Sequence, residues 1–397
     1  MDKKNKNPNV PNLRFNDKQY QWYILNEFVT RVSRKNVNNI SILPLTISAQ
    51  YGLVDQISFF NKTVASKDMS GYYLLKNGEF AYNKSYSKDY PWGAIKRLDL
   101  YDMGCLSTLY ICFKCNKSIV DSNYLVHYFE STKWHRQVSN IAGEGARNHG
   151  LLNIAVNDFF NTKHAIPPIE NQKKIAKFLD LIEEKIQTQI KIIDDCISYR
   201  NAIVDYFFQS LSFDWKRVKL SNVLEEYTEL HIKDNSIIHA TLSKDGIFPK
   251  TDRYDRDFLV KNDDKKYKVT HLNDICYNPA NLKFGVITRN TYGDCMISPI
   301  YITFKIKNDY LPKFIELLVT RKHFILKARK YEQGTVYERM AVNSSDLLSM
   351  NILIPSLTIQ KRIADIINTI DIKISNEQKL LNLYKAQKGY LLKNMFI

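Results

Sequence analysis

Two stretches of the 397-residue chain carry apolar residues in alternating steps of four and three. The first runs Ile175, Leu179, Ile182, Ile186, Ile193, Cys196, Ile203 and Phe207; the second runs Ile363, Ile367, Ile370, Ile374, Leu381, Tyr384, Leu391 and Met395. Steps of this kind are the heptad period of a coiled coil, so each stretch predicts a long helix with one apolar seam. At 1.5 Å rise per residue, helices of about 36–38 residues extend roughly 55 Å. A helix that long cannot bury its seam alone, and the economical partner for each is the other.

A shift of 188 residues lays one series on the other without a gap. The two missing beats coincide as well: Gln189 falls on Glu377, and Arg200 on Lys388. Polar residues in a seam set register and partner choice at some cost in stability. The match extends upstream, where Ile166-Pro167-Pro168-Ile169-Glu170-Asn171-Gln172-Lys173-Lys174-Ile175-Ala176 corresponds to Ile354-Pro355-Ser356-Leu357-Thr358-Ile359-Gln360-Lys361-Arg362-Ile363-Ala364. Pro shortly before a periodic run marks a helix entry. The chain is therefore read as an internal duplication.

Before each helix the pattern changes to short runs of Tyr, Ile, Val, Thr and Phe punctuated by Gly and Asn, which predict strands and tight turns. Each segment opens near a Trp, at Trp22 and Trp215. Single strands are expected over Leu106–Phe113 and Met296–Phe304, each after a Gly-containing turn (Gly104, Gly293). Helical stretches are expected over Asn123–Ser139 and Leu311–Tyr331. Phe80-Ala81-Tyr82-Asn83 corresponds to Ile275-Cys276-Tyr277-Asn278. The fold class expected is α+β: two mixed α/β globular domains joined by two long helices packed as an antiparallel coiled coil. The boundaries are 1–165, 166–210, 211–353 and 354–397.

Charge sharpens this picture. Of the net +16, residues 1–165 contribute +8, residues 211–355 +5 and residues 356–397 +4, while residues 166–210 carry −1. A basic surface attracts phosphate backbones without regard to sequence. No export leader or membrane-spanning run is visible, so a cytoplasmic, soluble protein with no membrane partner is expected.

Candidate chemistry is sparse. Cys112 and Cys115 form a lone C-x-x-C with no second pair nearby, which reads as two cysteines on one strand rather than a zinc site. His127, His135, His149 and His164 are too scattered for a ligand set, and no metal is expected. Glu183-Glu184 and Glu225-Glu226 read as solvent-facing pairs on helices. Asp252-Arg253-Tyr254-Asp255-Arg256-Asp257 reads as a solvated loop. There is no Gly-x-x-x-x-Gly-Lys-Ser/Thr loop for ATP. Asn278-Pro279-Ala280-Asn281 lacks the second Pro and the aromatic residue of an adenine methyltransferase motif. No catalytic residue is nominated.

The order of globular domain, Pro-flanked helix opening on Gln-Lys-(Lys/Arg)-Ile-Ala, second domain and second such helix resembles the specificity subunits of type I restriction-modification enzymes over essentially the whole chain. Further phrases resemble that family's target-recognition domains: Phe80 to Ser87 with Gly93-Ala94-Ile95-Lys96-Arg97, Tyr277 to Leu282 with Gly285-Val286-Ile287, and the Gly145-Ala146-Arg147 and Gly334-Thr335-Val336 stretches. The resemblance implies a non-catalytic subunit that binds double-stranded DNA. Each domain would read one half of a split target, in inverted orientation, and the helices would fix the gap. It implies docking of two modification (adenine methyltransferase) subunits, with restriction subunits joining that core. No cofactor is expected in this chain; S-adenosylmethionine, ATP and Mg would sit on the partner subunits.

Base edges are read by Arg, Lys, Asn, Gln, Ser and Thr, and recognition favours loops. On that basis the candidate DNA contacts are Lys84, Ser85, Tyr86, Lys96, Arg97 and Arg147 in the first domain. In the second they are Asn281, Lys283, Arg289, Tyr337 and Arg339.

Overall fold

The computed structural model describes residues 13, 15, 20–48, 50–62, 64–86, 90–143, 150–209, 215–232, 236–250, 266–333 and 340–397. The heptad stretches form helices over Ile169–Gln209 and Leu357–Asn394. The chain divides into two compact units, one of Met1–Lys191 with Gln378–Ile397 and one of Ile192–Glu377. The division cuts each long helix, whereas the sequence pattern predicts boundaries at the helix ends. A seam with apolar residues on both sides of its polar beats gives both globular parts something to pack on, so each takes part of each helix.

In the first unit, Ile175, Ala176 and Leu179 from the start of the first helix share a core with Leu391, Met395 and Phe396 from the end of the second. In the second unit, Ile363 and Ile367 share a core with Val204 and Phe208. Each unit therefore pairs the beginning of one helix with the end of the other. Of the expected seam residues, Ile175, Leu179, Ile186, Ile193, Ile363, Ile367, Leu381, Leu391 and Met395 are buried. Ile182, Cys196, Ile370, Ile374 and Tyr384 are half-buried. At the end of the first helix the seam turns by one residue: Val204 and Phe208 are buried, and the expected Ile203 and Phe207 are half-buried beside them. The ring of Phe208 packs on Phe314 and Trp215, which draws the helix face towards the sheet domain.

Both units contain an antiparallel four-stranded sheet with the same strand order. In the first unit it is Val29–Arg31, Ile111–Cys115, Phe80–Asn83, Ala94–Arg97; in the second, Leu224–Tyr227, Ile302–Ile306, Ile275–Tyr277, Ile287–Arg289. Helix Ser122–Glu130 packs on the edge strand Ala94–Arg97, and helix Pro312–Thr320 on Ile287–Arg289. A two-stranded ribbon leads into each long helix, Gln21–Ile24 with Lys163–Ile166 and Lys216–Lys219 with Asn351–Ile354. Smaller pairings differ: the second unit adds a five-stranded sheet, where the first has Tyr73–Lys76 paired with Met103–Leu106 and Leu45–Ser48 paired with Gly52–Asp55.

Several expected elements are divided. The strand expected over Leu106–Phe113 is two, Met103–Leu106 and Ile111–Cys115, and that over Met296–Phe304 is Cys295–Ile297 and Ile302–Ile306. Each breaks at a Ser-x-x-Tyr turn, Tyr110 N–H to Ser107 O at 3.2 Å and Tyr301 N–H to Ser298 O at 3.1 Å. The chain crosses from one sheet to another there, and a hydrophobic run does not record which sheet each half joins. The stretch 123–139 likewise becomes Ser122–Glu130 and His135–Ile141, and 311–331 becomes Pro312–Thr320, Lys322–Ala328 and a single turn Arg329–Tyr331. Glu225 and Glu226 are exposed but lie on the strand Leu224–Tyr227, not a helix.

The repeated Gln of the helix entry has a structural role. The buried Gln172 side chain accepts from Asp121 N–H at 2.7 Å and donates to the Ile119 and Pro167 carbonyls at 2.9 and 2.8 Å. Gln360 accepts from Leu311 N–H and donates to Pro355 O, both at 3.0 Å. Asp121 and Leu311 are the N-cap residues of the helices that cover the edge strands. One Gln in each copy thus ties the strand-to-helix turn of the domain to the start of the long helix, satisfying backbone groups that burial would otherwise leave unpaired.

Candidate nucleic-acid interface

In both units the chain leaves the second-from-edge strand through a Tyr-Asn pair. Asn83 Oδ1 accepts from Ser85 N–H at 3.0 Å, and Asn278 Oδ1 from Ala280 N–H at 3.1 Å. Asn favours such turns because its short side chain stands in for a backbone acceptor. The Tyr82 hydroxyl donates to Trp92 O at 2.7 Å and that of Tyr277 to Val342 O at 3.0 Å. Both rings are buried, so the start of each loop is fixed from below. Gly93, at φ +77°, closes the first loop: a Cβ there would stand 2.1 Å from Asn83 O, so only glycine permits the approach.

Each loop lies beside a second segment. In the first unit Ser85 bridges to Leu151, Tyr86 N–H donates to Gly150 O at 2.7 Å, and Leu152 N–H donates to Lys84 O at 2.9 Å. In the second, the turn Pro279–Phe284 lies against Met340–Val342, with Val342 N–H reaching Pro279 O at 3.3 Å. Two backbone strings side by side, held by their own hydrogen bonds, make a loop pair whose outward side chains are free to differ.

The outward residues do differ. Tyr86 is 58% exposed and Ser85 is also exposed; Lys84 is half-buried, with Nζ on Ile154 O at 3.3 Å. In the second unit, exposed Lys283 lies over the ring of Phe284, 5.1 Å from its centroid, and Phe284 is 65% exposed. Ala280, Asn281, Lys283, Phe284 and Met340 line a cleft of about 320 Å³. Sequence reasoning missed Phe284 and Met340, because an apolar residue in a strand-rich segment reads as core. The available signal was Phe284 in a turn closed by Gly285, at φ +78°.

Lys96, Arg97 and Arg289 are placed differently from the other described candidate contacts, which lie in the loops. All three stand on the edge strands. Lys96 pairs with Glu130 at 3.3 Å. Arg97 donates to Asp99, Ser122 and Asn123 at 2.6, 2.8 and 2.7 Å. Arg289 donates to Glu316 and Asn273 at 2.9 and 2.7 Å. Their side chains are only 16–17% exposed. Arg147, Tyr337 and Arg339 lie outside the described residues, as do the Gly145-Ala146-Arg147 and Gly334-Thr335-Val336 stretches, Ser87, His149 and Asp252 to Asp257.

No group of His, Cys, Asp and Glu among the described residues has the arrangement of a metal site. Cys112 and Cys115 share the strand Ile111–Cys115, and burial pushes their thiols up to about 12 and about 11, so both are protonated at neutral pH. His164 is buried between the Tyr128 and Thr162 hydroxyls, each at 2.8 Å, and burial pushes it down to about 3. His127 pairs with Asp180 at 2.8 Å. Among the described residues no helix is long and apolar enough to cross a membrane.

No family model matches the chain, and no curated protein matches it. Solved structures do. A chain from work on the structural basis of complex assembly and conformational transition of the type I R-M system is 16% identical, with a TM-score of 0.59 over 94% of this chain and 96% of that one. The type I restriction-modification system S subunit from M. genitalium is 12% identical, with a TM-score of 0.53 over 98% of this chain and 99% of that one. The chain has the fold of these proteins from end to end: two sheet-bearing domains, each followed by a long helix.

Proposed function

We propose that the chain is the DNA-sequence-specificity subunit of a type I restriction-modification enzyme, a non-catalytic reader of double-stranded DNA. The observation that carries this reading is the duplicated loop pair. The same sheet, the same Tyr-Asn exit and the same second backbone string recur in each unit, with different outward residues: Ser85 and Tyr86 in one, Asn281, Lys283 and Phe284 in the other. Two copies of one device with different tips suit a target of two different halves. Phosphate attraction comes from the positive excess of both domains. Lys84 and, beyond the described residues, Arg147, Tyr337 and Arg339 extend the candidate contact set. Lys96, Arg97 and Arg289 stand on the strands that follow the loops, held by Glu130, Asp99 and Glu316.

The first long helix has 41 residues, about 60 Å at 1.5 Å per residue, a length suited to setting the gap between half-sites. Exposed apolar residues on the helices, such as Tyr199, Tyr206, Leu383 and Tyr390, suit the docking of two modification subunits, with restriction subunits joining that core. S-adenosylmethionine, ATP and Mg would act on those partners, in the cytoplasm.

The test is to co-express the chain with its modification subunit in a host free of adenine methylation and map methylated adenines across the genome. The expected result is one split motif, two short defined halves around a fixed gap. A soluble complex that methylates nothing, or a continuous motif, would overturn the reading.

A further inference from the structure

Each unit contains a run of alternating charges that starts on the edge strand and ends on the long helices. In the first unit Lys96 on the edge strand meets Glu130 at 3.3 Å; Lys388 on the second long helix meets Glu130 and then Glu183 on the first, both at 2.7 Å. In the second, Arg289 on the edge strand meets Glu316 at 2.9 Å, Lys313 meets Glu316 at 3.4 Å and Asp371 at 2.9 Å, and Asp371 meets Arg200 at 2.5 Å. The helix-borne ends are equivalent: the 188-residue shift carries Glu183 to Asp371 and Arg200 to Lys388. The domain engages that pair from opposite sides, through an acid (Glu130) on the cation in one unit and through a base (Lys313) on the acid in the other.

Burial alone would raise the Glu130 carboxyl, but Lys388 and Lys96 hold it below its ordinary value; burial would lower Lys388, but Glu130 and Glu183 keep it above. Both stay charged, and removing Lys388 leaves the largely buried Glu130 with Lys96 alone and Glu183 without its partner on the other helix. The edge strand is also the far end of the candidate recognition loop, since Ala94–Arg97 follows the Tyr86 loop and Ile287–Arg289 follows the Pro279–Phe284 turn.

We propose that Lys96–Glu130–Lys388–Glu183 and Arg289–Glu316–Lys313–Asp371–Arg200 are positioning relays that hold the end of each recognition loop to the two long helices, making the protein selective for one spacer length. This rests on the reading of the chain as a two-half DNA reader. The relays touch no base; they fix where the loops stand relative to the spacer helices.

Two measurements on the full chain decide it. Hydrogen exchange of the chain alone is expected to show the Ala94–Arg97 amides opening about tenfold faster in Lys388→Met, the equivalent of about 1.4 kcal/mol. Strand Ile287–Arg289 should be unchanged, and Lys388→Arg should restore the wild-type rate. Methylation mapping in complex with the modification subunit is expected to show Lys388→Met and Arg200→Met keeping both half-site sequences while accepting spacers one base pair off about tenfold more often. Glu183→Gln, on a half-exposed carboxylate, replaces Lys388→Met if that variant does not fold. Unaltered exchange, or altered exchange with an unaltered spacer preference, overturns the relay. A wild-type chain that directs no split methylation refutes the DNA reading instead, and unaltered exchange would then refute the tether separately.

Discussion

Arg200 donates to Asp371 at 2.5 Å across the paired helices, and its equivalent by the 188-residue shift, Lys388, donates to Glu183 at 2.7 Å in the other unit. The gap that each heptad series shows at this position is thus a helix-to-helix ion pair made twice. Arg200 and Asp371 are about three-quarters buried, so Arg200→Met and Asp371→Asn should each cost about 1–2 kcal/mol, with a coupling of about 1 kcal/mol in a double-mutant cycle. Urea unfolding followed by Trp215 fluorescence measures it. Strict additivity would mean that the two side chains do not stabilise one another.

The repeated Gln should be expensive to remove. Gln172→Ala leaves Asp121 N–H and two carbonyls without their partner, a loss of about 2–3 kcal/mol. Helix Ser122–Glu130 should then exchange its first-turn amides faster, and Gln360→Ala should do the same at Pro312–Thr320. Protection unchanged in both variants would show that water replaces the glutamine without penalty.

His164 gives the first unit an acid sensitivity. Burial holds it neutral down to about 3, whereas an unfolded histidine takes up its proton near 6.5. The unfolded state therefore binds the extra proton first, and stability falls as pH drops from about 6.5 towards 3, by at most about 1.4 kcal/mol per pH unit from this residue. Above 6.5 it contributes no slope. His164→Gln, which can still serve both hydroxyls, should flatten the stability profile between pH 6 and about 4; an unchanged slope would assign the acid sensitivity elsewhere.

The two loop pairs should act on separate halves of the target. Tyr86→Ala is expected to degrade recognition of one half-site and Lys283→Ala of the other. Loss of a phosphate contact at Lys283 would lower the salt slope of DNA binding by about one. Binding across targets randomised in one half at a time checks this, and equal damage to both halves by either variant would refute the division of labour.

The heptads, the 188-residue shift and the Pro-to-Gln entry are local patterns. They were sufficient for the helices, the duplication and most of the expected seam, because one period of side chains decides which face is apolar; at the end of the first helix Val204 and Phe208 take the core in place of the expected Ile203 and Phe207. The correspondence of Tyr82-Asn83 with Tyr277-Asn278 was also legible, but that each Asn turns the chain out of its strand came only with the structure. The sequence was silent on the breaks at Ser107–Tyr110 and Ser298–Tyr301, because continuous hydrophobicity does not say which sheet a strand joins. It also left open what Lys96, Arg97 and Arg289 face. A cation on an edge strand is the same letter whether it points to phosphate or to Glu130 and Glu316, and only the packing of a helix from elsewhere in the chain brings that carboxylate within 3.3 Å or 2.9 Å. The division of each helix between two units is tertiary for the same reason: the repeat makes both halves of each seam equally apolar, and packing against the sheets decides which half each domain takes.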